Sequence, residues 1–260
     1  MGIDISKDKD GNLTISNTFS VEGIPHEIVM ISDVPHILKN IRNGLLKNKS
    51  FKIDEKYVKE FDLATNEVRL STIQKVVDLQ KDMELKIAPH LKPNMVNPKM
   101  SPFDKMHVNP ARSVLSRETA NAIRFCIEHY PEKFNKEDLT TAVFIEHVGD
   151  WFEIMNNRKL ALAFSKHKPE VYDKYLDWLI HFMEFFQSTK LHPKQQENSL
   201  KPTQKGVLMT TMSILMVQKD LLLEEVGFRY VMSARFSNDC IGKKHGLKLY
   251  DLFALNTSCF

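Results

Sequence analysis

Asp33 is the residue whose type and position best suit metal chemistry. It follows the apolar run 28–31 and Ser32, and Pro35 lies two residues after it, where a helix can begin. The end of a buried strand holds a carboxylate rigidly at an edge open to solvent, as Mg²⁺ sites require. An Asp at a helix start can also be an N-cap, because its oxygen accepts from the free N–H groups of the first turn. Propensity favours the cap, and the motif leaves the metal role open.

Other common catalytic and ligand-binding motifs are absent from the sequence. The ten histidines contain no H-x-x-x-H pair, and Cys126, Cys240 and Cys259 form no C-x-x-C pair, so zinc has no support. Neither G-x-x-x-x-G-K-[ST] nor G-x-G-x-x-G occurs, and no G-x-S-x-G nucleophile elbow is present. A nucleotide site in this chain would therefore need a different architecture.

The composition predicts a globular protein of one or two domains. The 260 residues are 42% hydrophobic and 27% charged, and the net charge of +3 is too small for a dedicated nucleic-acid coat. The mean hydropathy of −0.31 and the short apolar runs predict no membrane-spanning helix. The odd number of cysteines, and the lack of an apolar signal segment in residues 1–30, predict a reducing compartment.

A short strand and a helix are predicted to position Asp33. Four consecutive apolar residues over 28–31 predict a buried strand at the centre of a sheet. The helix is predicted to begin near Pro35, because apolar residues recur after it at helical spacing. Any sheet is expected within residues 1–35 and 225–240.

The rest of the chain is predicted to be mostly helical. Apolar residues recur at helical spacing from Ser71 onward, and the clearest helices cover 137–157, 172–186 and 206–223. The fold class predicted from this pattern is mostly α with a minor β part, an α+β chain.

Two segments interrupt the helical pattern. Five prolines between Pro89 and Pro110 exclude a continuous helix, because each lacks a donor and restricts its predecessor, and they predict an ordered loop. The polar segment 188–204 predicts a linker and the main boundary of the chain.

Several segments, read in order, resemble the P-element-type transposase family, which includes THAP-domain-containing relatives. The resemblance begins at the strand, D-x-P-H motif and helix of residues 27–43, and continues at M-H-V-N-P-A-R-S-V-L-S (106–116) and T-A-V-F-I-E-H-V-G-D-W-F-E-I-M-N (141–156). It resumes at the short segments 203–206, 224–228 and 236–240. Together these segments extend over most of the chain.

The resemblance implies a fold and a domain organisation. In that family a DDE-type nuclease of RNase H-like fold is interrupted by a large helical insertion that binds GTP. For this chain it implies a strand and helix of the RNase H-like part in residues 1–50 and the GTP-binding insertion in 51–200. The returning RNase H-like part would occupy 201–241, followed by an atypical tail in 242–260.

The resemblance implies that Asp33 is the second of three carboxylates that hold two Mg²⁺ ions for phosphodiester chemistry. Residues 1–24 are too few and too polar to supply the strand that carries the first carboxylate. Gly242 stands where the third would be a Glu. Because losing one member of such a unit lowers the rate by orders of magnitude, the sequence predicts no DNA cleavage or strand transfer.

The resemblance also implies a GTP site. Lys92 and His107 fall at phosphate-contacting positions, where His107 replaces a lysine and gives the phosphates less charge. Val108 and Ser116 fall at positions of main-chain and hydroxyl contacts, and Asp150 falls at an acidic position near the nucleotide.

Asp239 falls where a carboxylate of the family reads the guanine base. A carboxylate can accept from both N1–H and the exocyclic amine of guanine, a pair of donors that adenine lacks. Without the resemblance, Ser116 is interpreted as the cap of a helix over 118–128, and Lys92 as a solvated loop charge.

The sequence and the resemblance together predict a truncated or domesticated P-element-type transposase that binds GTP in the nucleus, with transposon-end DNA as a partner. Two alternatives stay open. One is an active nuclease completed by another chain or a longer isoform, and the other is a helical DNA- or protein-interaction module without nucleotide binding. No membrane partner is predicted, and a homo-oligomer is left open.

Overall fold

The structure is a computed structural model, and it describes residues 4–7, 13–16, 18–20, 28–196 and 199–237. This part of the chain is mostly helical, as predicted. Its α-helices are α1 (Val34–Asn48), α2 (Glu55–Glu60), α3 (Leu70–Leu79), α4 (Pro102–Met106), α5 (Val108–Val114), α6 (Arg117–His129), α7 (Asp138–Met155), α8 (Pro169–Ser188) and α9 (Pro202–Leu221). None of these described helices combines the length and the apolar character that a membrane span needs.

The strands of the described residues form three separate antiparallel pairs. The pairs are β1 (Asp4–Lys7) with β2 (Leu13–Ser16), β3 (Thr18–Phe19) with β4 (Ile28–Val29), and β5 (Ser50–Lys52) with β6 (Glu67–Arg69). In the last pair Phe51 lies opposite Val68, and both side chains are buried against the helices.

Helix α7 lies at the centre of the core. Its buried residues cover most of its circumference and leave one charged stripe with Glu146, Asp150 and Glu153, as expected of a helix packed on several sides. Trp151 of α7 stacks on Phe182 of α8 with ring centroids 5.8 Å apart, and its indole N–H donates to the Thr211 hydroxyl of α9 at 2.9 Å. Helix α6 packs along the other side of α7. The core therefore joins α6, α7, α8 and α9.

The predicted buried strand over 28–31 is only two residues long and half-buried. It pairs with β3, and side chains of α9 bind the backbone of the residues that follow β4. The Ser213 hydroxyl donates to the Met30 carbonyl at 2.6 Å, and the Ser32 N–H donates to the Thr210 hydroxyl at 3.0 Å. Because these backbone groups already have side-chain partners, the strand does not continue towards Asp33.

The pair β5–β6 was not expected, because it lies outside the ranges in which a sheet was predicted. Each strand has three residues, too few to show an alternating pattern in the sequence. Lys52 also exchanges two backbone hydrogen bonds with Lys190, of 3.0 and 2.7 Å. This contact fixes the start of the connection between α8 and α9.

The predicted linker over 188–204 is held by a buried amide. The side-chain nitrogen of Gln204 donates to the carbonyls of Phe186, Gln187 and Thr189 at 3.1, 3.0 and 2.8 Å. Its oxygen accepts from the Lys201 N–H at 3.0 Å, so α9 begins at Pro202, four residues before the start expected from the apolar pattern.

The predicted ordered loop over 89–110 contains short helical pieces. Pro93 begins a 3-10 turn (Pro93–Val96) and Pro102 begins α4, where a missing N–H leaves no hydrogen bond unmade. Pro110 is the third residue of α5, still within the first turn. The prolines therefore divide this segment without preventing order.

Gly149 and Gly206 lie inside helices but have different surroundings. A Cβ at Gly149 would stand 2.9 Å from the Leu115 carbonyl oxygen, whereas one at Gly206 would meet only the Ile37 side chain at 3.5 Å. Helix propensity alone favours Ala over Gly by about 1 kcal/mol. We expect Gly206→Ala to stabilise the protein by up to this amount.

We expect Gly149→Ala to lower the free energy of unfolding by roughly 1 to 3 kcal/mol, because the backbone it meets must move. Urea unfolding of both variants measures the difference, and Gly206→Ala is the matched control. An equal gain in stability at both positions would contradict the close approach of α7 to residue 115.

Candidate functional site

Asp33 is the N-cap of α1. Its Oδ2 accepts from the His36 N–H at 3.2 Å, with an extended backbone at Asp33. Its Oδ1 is buried and has no hydrogen-bond partner. The capping interpretation of this residue is therefore confirmed, and one acceptor oxygen is left over.

The described residues do not supply a Mg²⁺ site around Asp33. No group of three or more His, Cys, Asp or Glu side chains is arranged for a metal ion within them. Mg²⁺ requires near-octahedral oxygen coordination, and the one buried oxygen of Asp33 is a small part of that. Residues 239–242, where Gly242 takes the place of the family's third carboxylate, lie outside the described residues.

Lys92, His107 and Val108 lie on two segments that pack together. Lys92 is exposed and precedes the 3-10 turn, which packs against α5. His107 is exposed at the junction of α4 and α5, and its ring meets the edge of Phe103 with centroids 4.9 Å apart. Val108 is the half-buried first residue of α5. The 3-10 turn that follows Lys92 and the helix that follows His107 therefore pack against each other.

Ser116 caps α6. Its Oγ accepts from the Thr119 N–H at 3.1 Å and donates to the Ser113 carbonyl at 3.1 Å. The capping interpretation is therefore confirmed here as well. The Ser116 side chain is half-buried, and its hydroxyl proton already has a partner within the turn.

Asp150 is paired with Arg117, the first residue of α6. The Arg117 Nε and Nη2 donate to the two carboxylate oxygens at 3.1 and 2.6 Å. These hydrogen bonds, and then the charge of Asp150, raise the pKa of the Arg117 guanidinium above its ordinary value. The negative charge of the Asp150 carboxylate is therefore neutralised by Arg117.

Gly149 brings Ser116 and Asp150 together. Its missing side chain lets α7 lie against the backbone of the turn between α5 and α6, with the Ser116 Cα 3.1 Å from where a Cβ would be. Sequence reasoning missed both Gly149 and Arg117. The glycine in the middle of an apolar helical stripe was the available signal, because such a residue often marks a close approach.

Five of the six residues predicted to bind the nucleotide thus fall into two groups, and the sixth is not described by the structure. His107 and Val108 lie at the start of α5, Lys92 precedes the 3-10 turn that packs against α5, and Ser116 and Asp150 lie just beyond the end of α5. Asp239 lies outside the described residues. Helix α5, with seven residues, separates the two groups by about 10 Å at 1.5 Å per residue.

The family model that matches this chain is described as the TNP-like, GTP-binding insertion domain. It matches residues 35–168, about half of the chain, from α1 to the residue before α8. The chain belongs to the transposase family that carries this domain, the P-element-type transposases. The family resemblance predicted from the sequence is confirmed.

One solved structure supports the same fold. The Drosophila P element transposase strand transfer complex matches with a TM-score of 0.70 and 23% sequence identity, covering 87% of this chain and 48% of that one. The chain therefore spans about half the length of that transposase. No curated protein sequence matches this chain.

The cap at Asp33 gives a prediction that separates capping from metal binding. We expect Asp33→Ala to lower the free energy of unfolding by about 1 kcal/mol, since the acceptor for the His36 N–H is lost. Asp33→Asn keeps an acceptor and should stay close to the original protein. Urea unfolding with and without Mg²⁺ measures both effects. A Mg²⁺-dependent gain in stability that Asp33→Asn abolishes would show that Asp33 does more than cap α1.

Proposed function

We propose that this chain binds GTP through its helical insertion domain. The observation that carries the proposal is the family match over residues 35–168, which contains every predicted ligand residue except Asp239. Mostly α-helical elements with short 3-10 turns and one strand pair form this region. They offer no glycine-rich phosphate loop, so the ligand contacts must come from side chains and turns.

The charges at the two ends of α5 favour one orientation of the nucleotide. Lys105 and His107 directly precede α5, and Lys92 precedes the 3-10 turn that packs against α5, so these segments supply two cations and an imidazole donor. At its far end the charge of Arg117 is cancelled by Asp150. A triphosphate therefore fits better beside Lys92 and His107. We place the nucleoside towards Ser116 and Asp150, with Asp239 reading the guanine.

We further propose that the chain by itself does not cut or join DNA and represents a domesticated transposase. Asp33 is the only carboxylate of its sequence that the resemblance assigns to the metal site, and Gly242 replaces the expected Glu. On the family resemblance we also propose transposon-end DNA as a partner and the nucleus as the location of the protein.

A second candidate function is an active nuclease completed by another chain. The buried Oδ1 of Asp33 favours it, because an unpartnered carboxylate oxygen is free to accept a Mg²⁺ ion supplied with further ligands. In that arrangement Asp33 would cap α1 with one oxygen and hold metal with the other.

GTP binding is tested by thermal unfolding. We expect GTP at a hundredfold excess over its Kd to stabilise the fold by about 2.7 kcal/mol, and ATP to do much less. Asp239→Ala should remove the preference for guanine. Lys92→Ala should weaken both nucleotides alike, whereas Lys81→Ala, the loss of another exposed lysine, should change little. Equal small shifts with GTP and ATP, unchanged by Asp239→Ala, would favour an interaction module instead.

The substitution His107→Lys tests the same site by a gain of affinity for GTP, whereas the variants above lose affinity. A lysine restores a point charge near the phosphates, and a hydrogen bond to a charged group contributes roughly 1.5 to 3 kcal/mol. We expect this variant to bind GTP tenfold or more tightly than the original chain, measured by calorimetry. Unchanged affinity would mean that position 107 does not face the phosphates.

The absence of DNA chemistry is tested with the purified chain. We expect no cleavage or joining of DNA with family-type ends in Mg²⁺ or Mn²⁺, because one assigned carboxylate cannot hold the metal pair. Cleavage by the purified chain that Asp33→Ala abolishes would contradict the proposed lack of DNA chemistry.

A further inference from the structure

The irregular segment between α3 and α5 is held by two buried side chains, Gln80 at its own start and Arg42 of α1. It carries both Lys92 and His107, the two residues assigned to phosphate. Its own backbone forms few regular hydrogen bonds outside the 3-10 turn and α4. The positions of these two side chains therefore depend on what anchors the segment.

Gln80 anchors the part that leads to Lys92. Its side chain is 4% exposed, and its amide oxygen accepts from the Ala88 N–H at 2.9 Å. Its amide nitrogen donates to the carbonyls of Ala88 and Leu91 at 3.2 and 2.9 Å. The Leu91 carbonyl belongs to the peptide unit that continues into Lys92, so this hydrogen bond acts directly on the backbone of Lys92.

Arg42 of α1 anchors the part that leads to His107. Its Nη2 donates to the Lys105 carbonyl at 3.0 Å, and its Nη1 contacts the Met100 sulfur at 3.5 Å. The residue is 0% exposed, and its Nε has no hydrogen-bond partner. Within the described residues no carboxylate forms an ion pair with it.

The charge of Arg42 is therefore buried without a direct ion-pair partner. Burial lowers the pKa of its guanidinium, and the charge of Asp104 opposes this change. An arginine nevertheless stays protonated in proteins. A buried charge without an ion partner is unfavourable, and an anion bound over the segment would reduce that cost. A triphosphate beside Lys92 and His107 is such an anion.

We propose that Arg42 and Gln80 are positioning residues of the triphosphate site, with Arg42 also supplying a buried positive charge beneath it. The inference rests on the proposed GTP function. Neither side chain touches the ligand. Gln80 fixes the backbone at Lys92 by hydrogen bonds alone, and Arg42 fixes the backbone before His107 and attracts the phosphates through its charge.

The test compares ligands with and without phosphate on the full chain. Affinities for GTP, inorganic tripolyphosphate and guanosine are measured for the original protein and for Arg42→Met, Arg42→Lys and Gln80→Met. Lys47→Met is the matched control, because it removes one positive charge from an exposed position of the same helix. Far-UV circular dichroism confirms that each variant is folded.

We expect Arg42→Met to weaken GTP and tripolyphosphate at least tenfold and to leave guanosine within twofold. Gln80→Met should show the same phosphate-specific loss to a smaller degree without any change of charge. Arg42→Lys should fall between Arg42→Met and the original protein, since it keeps the charge but loses the planar pair of donors. Lys47→Met should stay within twofold for all three ligands.

Several outcomes would overturn the inference. One is a folded Arg42→Met that binds GTP as the original protein does, and another is equal weakening of GTP and guanosine, which indicates a structural role only. If Arg42→Met does not fold, the affinities of Arg42→Lys and Gln80→Met for the three ligands test the inference instead. If the original chain binds tripolyphosphate but not GTP, the proposed function fails, and the affinities of the variants for tripolyphosphate alone decide the roles of Arg42 and Gln80. If it binds neither, both fail.

Discussion

The close approach of α7 to the turn between α5 and α6 is the constraint on which the candidate site depends. Gly149 allows it, because a side chain there would collide with the Leu115 carbonyl oxygen. The contact places Asp150 beside Arg117 and holds the end of α5, at Leu115, against α7. The start of α5, with His107 and Val108, is thereby fixed relative to Ser116. One missing Cβ therefore links the central core helix to both ends of the proposed nucleotide site.

Buried side-chain amides and hydroxyls supply the backbone hydrogen-bond partners that neighbouring strands supply in a sheet. Long irregular stretches leave backbone N–H and C=O groups that must find partners once they are buried. Gln80 and Gln204 each bind two or more backbone groups of such stretches, and Thr210 and Ser213 bind the backbone that leads to Asp33. The spacing of these residues in the sequence does not reveal this role, yet Gln80 holds the segment that leads to Lys92, and Thr210 and Ser213 hold the segment that leads to Asp33.

Several candidate residues combine a structural role with the proposed one. Ser116 and Asp33 are both helix caps, and Asp150 neutralises an arginine. Capping uses a lone pair of the Ser116 oxygen and its proton, and it leaves one oxygen of Asp33 without a partner. Loss of function in variants at these positions therefore has to be separated from loss of stability. Lys92 and His107 are exposed and carry no such structural duty, which makes them the cleaner probes of the ligand.

The sequence by itself determined the helical class, the main core helices, the cap at Asp33 and the family, because these depend on local spacing and on segments read in order. It did not determine the β5–β6 pair, the short form of the strand before Asp33 or the early start of α9. Those depend on partners far along the chain, such as Lys190 for Lys52 and Ser213 for Met30. Likewise, only the tertiary structure paired Asp150 with Arg117 and buried Arg42 against the irregular segment between α3 and α5. Local spacing records which face of an element is apolar, whereas the partner of a polar or charged group is chosen only when distant elements pack together.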